Sequence, residues 1–298
     1  MYDLPDAGSF FFKGGTSLSK AFNVIQRFSE DIDLIIDRAR FGYTGDDDIA
    51  SAPSKTAAAR RMERLATDIS AYIASTIVPQ LAERFDAVLT ERFSLDPDPT
   101  APTQILFSYP SESTDAYILP RVLVETGGNA DSWPTEERTI TPYVADAAPE
   151  GFADVGVVVT AVSAKRTFWE KLTILHKTAH RFDGVPGWHP AARYSRHYYD
   201  AYRLTRSAFA RSAIADVNLA NAVRDAANTF FPDNKANYDL FVPGSIRLVP
   251  CDAAMPALAE DYRAMRDMIF GEDPPFDEIM TELRGLEERL NGRAPALD

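Results

Sequence analysis

The chain has 298 residues, 45% hydrophobic and 25% charged, with 31 basic against 44 acidic side chains and a net charge of −13. That length suits two modest domains, while the acidic balance argues against a bare nucleic-acid binder and leaves any RNA to a local basic patch. No stretch is long and apolar enough for a membrane span. Met1 to Asp6 lacks the basic start and apolar run of a secretory leader. The single cysteine, Cys251, excludes an internal disulfide and a cysteine-rich metal site, so a cytoplasmic protein is expected.

In chain order, Phe10-Phe11-Phe12 is a short apolar run that stops at Gly14-Gly15, and Ser17 to Ile25 reads as a short helix. Asp31 to Asp37 alternates, with Ile32, Leu34 and Ile36 on one side and Asp31, Asp33 and Asp37 on the other, the pattern of a strand with one buried face. Phe41 to Ser54, with Gly42, Gly45, Asp46-Asp47-Asp48 and Pro53, is a loop. Thr56 to Val78 carries apolar residues three to four apart and predicts a helix, ended by Pro79. Strands are expected at Phe85 to Phe93, Gln104 to Tyr109 and Tyr117 to Thr126, punctuated by Asp96-Pro97-Asp98-Pro99 and Gly127-Gly128-Asn129. From Lys165 onward the pattern is helical. It starts with the stripe Phe168, Trp169, Leu172, Leu175, Ala179 and continues through Ile214/Val217/Val223, Leu258/Tyr262/Met265/Ile269 and Ile279/Leu283/Leu286/Leu290. The expected architecture is α+β: an N-terminal domain over residues 1–150, a mixed sheet with helices, followed by an α-helical domain over residues 151–298, joined near Pro142 to Ser163.

Two segments carry chemistry. Asp31 and Asp33, two apart on a strand, face one side. Two carboxylates about 4 Å apart repel by roughly 1–4 kcal/mol, which a divalent cation removes. Magnesium favours one or two carboxylates completed by phosphate oxygens and water. Two solvated aspartates on a polar edge strand are the other reading of the same residues. Gly14-Gly15-Thr16-Ser17, between an apolar run and a helix, is the kind of turn whose backbone N–H groups approach phosphate. Thr16 and Ser17 add hydroxyls, and Lys13 and Lys20 add charge. An ordinary capped glycine turn is the alternative.

Together these segments resemble the nucleotidyltransferase pattern of Gly-Gly, helix, Asp-x-Asp. More closely, Lys13-Gly14-Gly15-Thr16-Ser17-Leu18-Ser19-Lys20 with Arg27-Phe28-Ser29-Glu30-Asp31-Ile32-Asp33-Leu34 resembles the AbiEii/AbiGii toxin family. These are nucleotidyltransferase toxins of bacterial toxin–antitoxin systems, a group that includes the MenT toxins of mycobacteria. Arg166-Thr167-Phe168-Trp169-Glu170-Lys171-Leu172 resembles the family's lysine motif. Arg196-His197-Tyr198-Tyr199-Asp200 resembles its Arg-x-x-x-Asp motif, with His197 where the family often has aspartate. The resemblance implies a nucleotidyltransferase fold and transfer of NMP from an NTP, with release of pyrophosphate. Asp31 and Asp33 would hold Mg²⁺, Gly14, Gly15, Thr16 and Ser17 would receive the nucleotide, and Lys171 would meet the triphosphate or leaving pyrophosphate. Asp200 would orient Lys171, unless it merely pairs with Arg196 four residues earlier. Glu125, on a neighbouring strand, would be a third carboxylate, metal ligand or general base. The implied acceptor is the 3′ end of tRNA, blocking translation, and the implied partner a cognate antitoxin.

Other signals point elsewhere. His176 and His180 have zinc spacing, but no H-E-x-x-H and no nearby cysteine accompany them. Asp46-Asp47-Asp48 lacks the spacing of a calcium loop. Trp133, Trp169 and Trp188 could stack on a base, although Trp169 sits at core spacing. Arg60-Arg61-Met62-Glu63-Arg64 and Arg193-Tyr194-Ser195-Arg196 are the candidate basic patches. Two rival functions stand beside the tRNA reading: a nucleotidyltransferase for a small molecule or protein, and a non-catalytic nucleotide- or partner-binding module.

Overall fold

The computed structural model describes residues 1–298 apart from 30, 111–119, 153–154 and 294–298, and omits the side chains of 146, 147 and 149. Glu30 of the motif, and Tyr117 to Leu119 of one expected strand, lie outside the described residues. The fold is α+β, as expected. The chain forms two compact units: one of residues 1–21 and 29–162, the other of residues 22–28 and 163–298.

The first unit is built on one mixed sheet. Its strands are β1 (Phe10–Lys13), β2 (Asp31–Ile36), β3 (Ser94–Pro97), β4 (Gln104–Ser108), β5 (Arg121–Gly127), β6 (Thr135–Ile140) and β7 (Val157–Val162), ordered β3-β4-β5-β2-β1-β7-β6. β2 runs antiparallel to β1 and parallel to β5, and β7 runs parallel to β1. The centre of the sheet is apolar: Phe10, Phe12, Leu34, Ile35, Ile36, Ile105, Val159 and Ala161 are buried. β6 and β7 have no counterpart among the sequence expectations. β6 alternates polar side chains at a sheet edge, and β7 is a continuous apolar run whose period does not tell strand from helix.

Helix α1 (Gly14–Lys20) begins three residues before the expected start and ends well before Ile25. The predicted helix between Thr56 and Val78 is α2 (Lys55–Tyr72), opened by Ser54, whose side chain accepts from the Ala57 N–H. Pro79 does not end it. A π-helical turn at Ile73–Ile77 leads into α3 (Val78–Val88), which takes Pro79 in its first turn, where a missing N–H costs no helical bond. The strand expected at Phe85 to Phe93 is instead the end of this helix, as far as Val88, followed by irregular chain to Phe93, because Leu81, Phe85 and Val88 recur at helical rather than alternating spacing. Phe85, Phe93 and Phe107 form an aromatic cluster, with ring centroids 5.0–5.9 Å apart. The expected loop after Phe41 contains 3-10 turns at Gly45–Asp47 and Ile49–Ser51, and Arg38 braces it by pairing with Asp48 at 2.9 Å and Asp131 at 2.8 Å. A short helix, α4 (Tyr143–Ala147), follows β6.

The second unit is helical: α5 (Ala164–Gly184), α6 (Arg196–Thr205), α7 (Ala210–Ile214), α8 (Val217–Phe230), α9 (Met255–Ala264) and α10 (Phe276–Leu290). The predicted α5 stripe, Phe168, Trp169, Leu172, Leu175 and Ala179, is buried throughout, against α6, α7 and α8. Trp169 is a core residue whose indole N–H donates to the Ala213 carbonyl at 2.9 Å, so it is not a base-stacking platform. The segment 22–28 is irregular, with Asn23 at φ 50°. Its Arg27 bridges to Ile269, and its Phe22 ring meets Phe209 edge-on at 5.7 Å.

His176 is part of this core rather than a zinc ligand. Its Nδ1 accepts from the Arg247 N–H at 3.0 Å, so Nε2 carries the proton and donates to the Asn237 carbonyl at 3.1 Å. Burial, aided by the Arg247 charge, lowers the imidazole to about 4. A histidine held neutral stabilises the fold above its unfolded value, about 6.5, and that contribution is lost as pH falls from there toward the folded value. Urea unfolding of the native protein should therefore lose up to about 3 kcal/mol between about pH 6.5 and 4. His176→Gln should flatten this part of the profile; an unchanged slope would assign it to other groups.

Candidate active site

The two-residue period of β2 puts Asp31 and Asp33 on one face, together with Ile35. Ile35 is buried while the aspartates are half-exposed, so this face opens only at the N-terminal end of the strand. β1 ends there: Lys13 is the Cα partner of Asp33, and no β1 residue pairs with Asp31. On the other side Glu125 pairs with Asp33, and Gln104 pairs with Glu125. Paired residues on adjacent strands point the same way, so Gln104, Glu125, Asp33 and Lys13 form one polar row across four strands, with Asp31 beside it. The Gln104 amide lies 3.5 Å from the Glu125 carboxylate. This register puts Glu125 with the aspartates. Lys13 and Gln104 join them by pairing distant segments, which no local sequence signal announces.

The glycine turn closes on the same place. Gly14 has φ +75°, and a Cβ there would fall inside the Asp33 carboxylate, so glycine is required on both backbone and contact grounds. The turn is the first turn of α1 rather than a loop before it. The Thr16 hydroxyl donates to the Asp31 carbonyl at 2.5 Å and the Ser17 hydroxyl to the Gly14 carbonyl at 3.0 Å. The first bond ties α1 to β2, the second lies within α1, and both direct their hydroxyl protons at backbone. The first-turn N–H groups lack intrahelical partners. Lys20 does not flank the glycines: it lies at the far end of α1, its ammonium 3.3 Å from the centroid of the Tyr143 ring, whose hydroxyl donates to Ser19.

Among the described residues no three His, Cys, Asp or Glu side chains converge as a complete metal cage. The donor set is hard oxygen: two same-face carboxylates with a third on the adjacent strand. That fits a magnesium-like ion that draws its remaining ligands from phosphate and water.

The second unit contains a separate buried polar cluster. Asp200, fully buried, receives Arg27 in a two-pronged pair, Nε to Oδ1 at 2.7 Å and Nη2 to Oδ2 at 2.8 Å. Lys171 Nζ lies 2.8 Å from the same Oδ2 and 3.3 Å from His197 Nδ1. Burial alone would raise the Asp200 carboxyl; the charges and hydrogen bonds of Arg27 and Lys171 outweigh it and hold the group well below the usual carboxylate range. Burial, with the Lys171 charge, keeps His197 neutral. The partners of Asp200 are thus Arg27 and Lys171 rather than Arg196. Asp261 sets the start of α6 by accepting from Ser195 N–H and Oγ at 2.7 and 2.6 Å. Arg27 is the residue that sequence reasoning passed over. Its signal was present, a lone arginine between the apolar Val24-Ile25 and Phe28, but its partner lies 173 positions away.

Among the described residues no helix is long and apolar enough to cross a membrane. Comparison with the curated proteins returns no match. The family described as nucleotidyl transferase AbiEii toxin, Type IV TA system, matches residues 1–282. A glycine held against an Asp-x-Asp strand and a match over nearly the whole length agree: the chain belongs to the AbiEii family of nucleotidyltransferase toxins, enzymes whose toxin–antitoxin setting implies an NTP substrate and an antitoxin partner.

Proposed function

We propose that the protein transfers NMP from an NTP to the 3′ end of tRNA in the cytoplasm and thereby inhibits translation. In this reading the terminal hydroxyl oxygen attacks the α-phosphorus, the bond to the β-phosphate oxygen breaks, and pyrophosphate leaves. Asp31 and Asp33 hold Mg²⁺, which when bound neutralises charge on the triphosphate. Glu125 takes the hydroxyl proton or completes the metal shell. The backbone of Gly14, Gly15, Thr16 and Ser17 receives phosphate oxygens, and Lys171, oriented by Asp200, takes the triphosphate or the departing pyrophosphate. The observation that carries the reading is the row Glu125–Asp33–Lys13 with Gly14 seated on the Asp33 carboxylate.

RNA must find positive charge on an acidic protein. Arg60 and Arg64, one helical turn apart and exposed on α2, are the patch we favour. The charge of −13 is the observation that favours a second reading, a protein or small-molecule acceptor. A labelled-NTP screen with Mg²⁺ over purified tRNAs, a protein lysate and aminoglycosides separates the two. Label at tRNA 3′ ends is expected; label on protein or drug with bare tRNA would overturn the tRNA assignment.

A further inference from the structure

Lys13 ends β1 on the face that carries Asp33, its Cα partner on β2, and both residues belong to the first unit. No local rule asks for a lysine there. The other residues of β1 are phenylalanines, and lysine is depleted in strands. As the residue before α1 it stands where Ser, Thr, Asp or Asn would cap, and its side chain makes no cap bond. A residue that breaks local preferences with no structural return marks a functional position.

Opposite charges facing each other on paired strands ordinarily attract, but Lys13 and Asp33 do not join. Asp33 is turned onto the glycine turn, its Oδ2 in the space that a Cβ on Gly14 would take. Among the described residues neither side chain makes a hydrogen bond or an ion pair. Lys13 is half-buried, so its stem lies against the sheet while its charge stays unmatched. A cation and an anion thus stand side by side, each left open. A metal-bound triphosphate has the same pattern with the signs exchanged: its metal ion suits Asp33 and its phosphate oxygens suit Lys13.

We propose that Lys13 is a substrate-binding residue of the transferase, whose ammonium donates to a phosphate oxygen of the triphosphate that Asp33 holds through the metal ion. This rests on the reading of Asp31 and Asp33 as the metal platform.

Two affinities of the native protein and of Lys13→Met test it. One is for each labelled NTP with Mg²⁺, by equilibrium dialysis; the other is for Mn²⁺ alone, by the electron paramagnetic resonance signal of the free ion. Losing a donor to a charged group should weaken the preferred NTP by about tenfold or more. Mn²⁺ alone should bind as tightly as in the native protein or more tightly, because a cation beside Asp33 is gone. This split separates a substrate contact from a structural lysine, whose loss would weaken both, and from a solvated one, whose loss would move neither. A smaller loss of NTP affinity, or weaker Mn²⁺ binding, overturns the proposal; if the methionine variant does not fold, Lys13→Gln decides by the same thresholds. NTP binding that is lost in Asp33→Asn but kept in Lys13→Met removes only the role of Lys13. A native protein that binds no NTP with Mg²⁺ removes the reading of the site and this proposal together.

Discussion

Asp31→Asn and Asp33→Asn are each expected to lower nucleotide transfer by about a thousandfold or more, roughly 4 kcal/mol of transition-state stabilisation. Neither should lower the melting temperature. Asparagine keeps the shape of the side chain and removes the charge through which a cation would be held. It also relieves the repulsion of two same-face carboxylates, so stability should hold or rise slightly. Gly14→Ala is the complementary variant. It retains all three carboxylates, but its Cβ would occupy the space of the Asp33 carboxylate and its backbone sits at φ +75°. Activity should fall with it, and here stability should fall too. Steady-state labelling by NTP with Mg²⁺, paired with thermal melts, reads both quantities. Native turnover in both aspartate variants would remove the polar row of β2 and β5 from the chemistry.

Asp200→Ala should be the most destabilising single change in the second unit, costing about 3–5 kcal/mol in urea unfolding. The cause is not the loss of one attraction. Removing the carboxylate takes from both Arg27 and Lys171 the buried anion that they share. Lys171→Met should behave differently: it leaves the Arg27–Asp200 pair balanced, so the fold should be largely retained while NTP affinity drops. A destabilisation by Asp200→Ala no larger than that of Lys171→Met would show that the cluster is not held together by its charge. The pH dependence separates this cluster from His176. A carboxylate whose folded value is depressed stabilises at every pH above its unfolded value, about 3.9, and loses that contribution only as pH falls toward the folded value. Between pH 5 and 7 the slope should therefore come from the neutral buried histidines and not from Asp200.

Among the wrong expectations, the Phe85–Phe93 strand and the stop at Pro79 share one cause. Both treated a local mark as decisive, an apolar run or a proline, where the neighbouring turns set the outcome. A π-helical turn before Pro79 lets the helix continue. Phe85 and Phe93 are apolar because they pack on Phe107 of β4, not because they alternate along a strand.

The sequence by itself determined the pieces of the site that lie close together along the chain. A glycine pair ending an apolar run, and aspartates at strand spacing behind it, are short-range patterns, and residues two apart on a strand share a face whatever surrounds them. The α5 stripe was legible for the same reason, since helical periodicity is local. Tertiary structure decided the rest. Strand register brought Glu125 and Lys13 to either side of Asp33, and a slip of one residue would have turned Glu125 to the opposite face. Burial joined Arg27 to Asp200 across 173 positions, a pairing that follows from the cost of leaving a charge alone in the core and from no spacing in the chain.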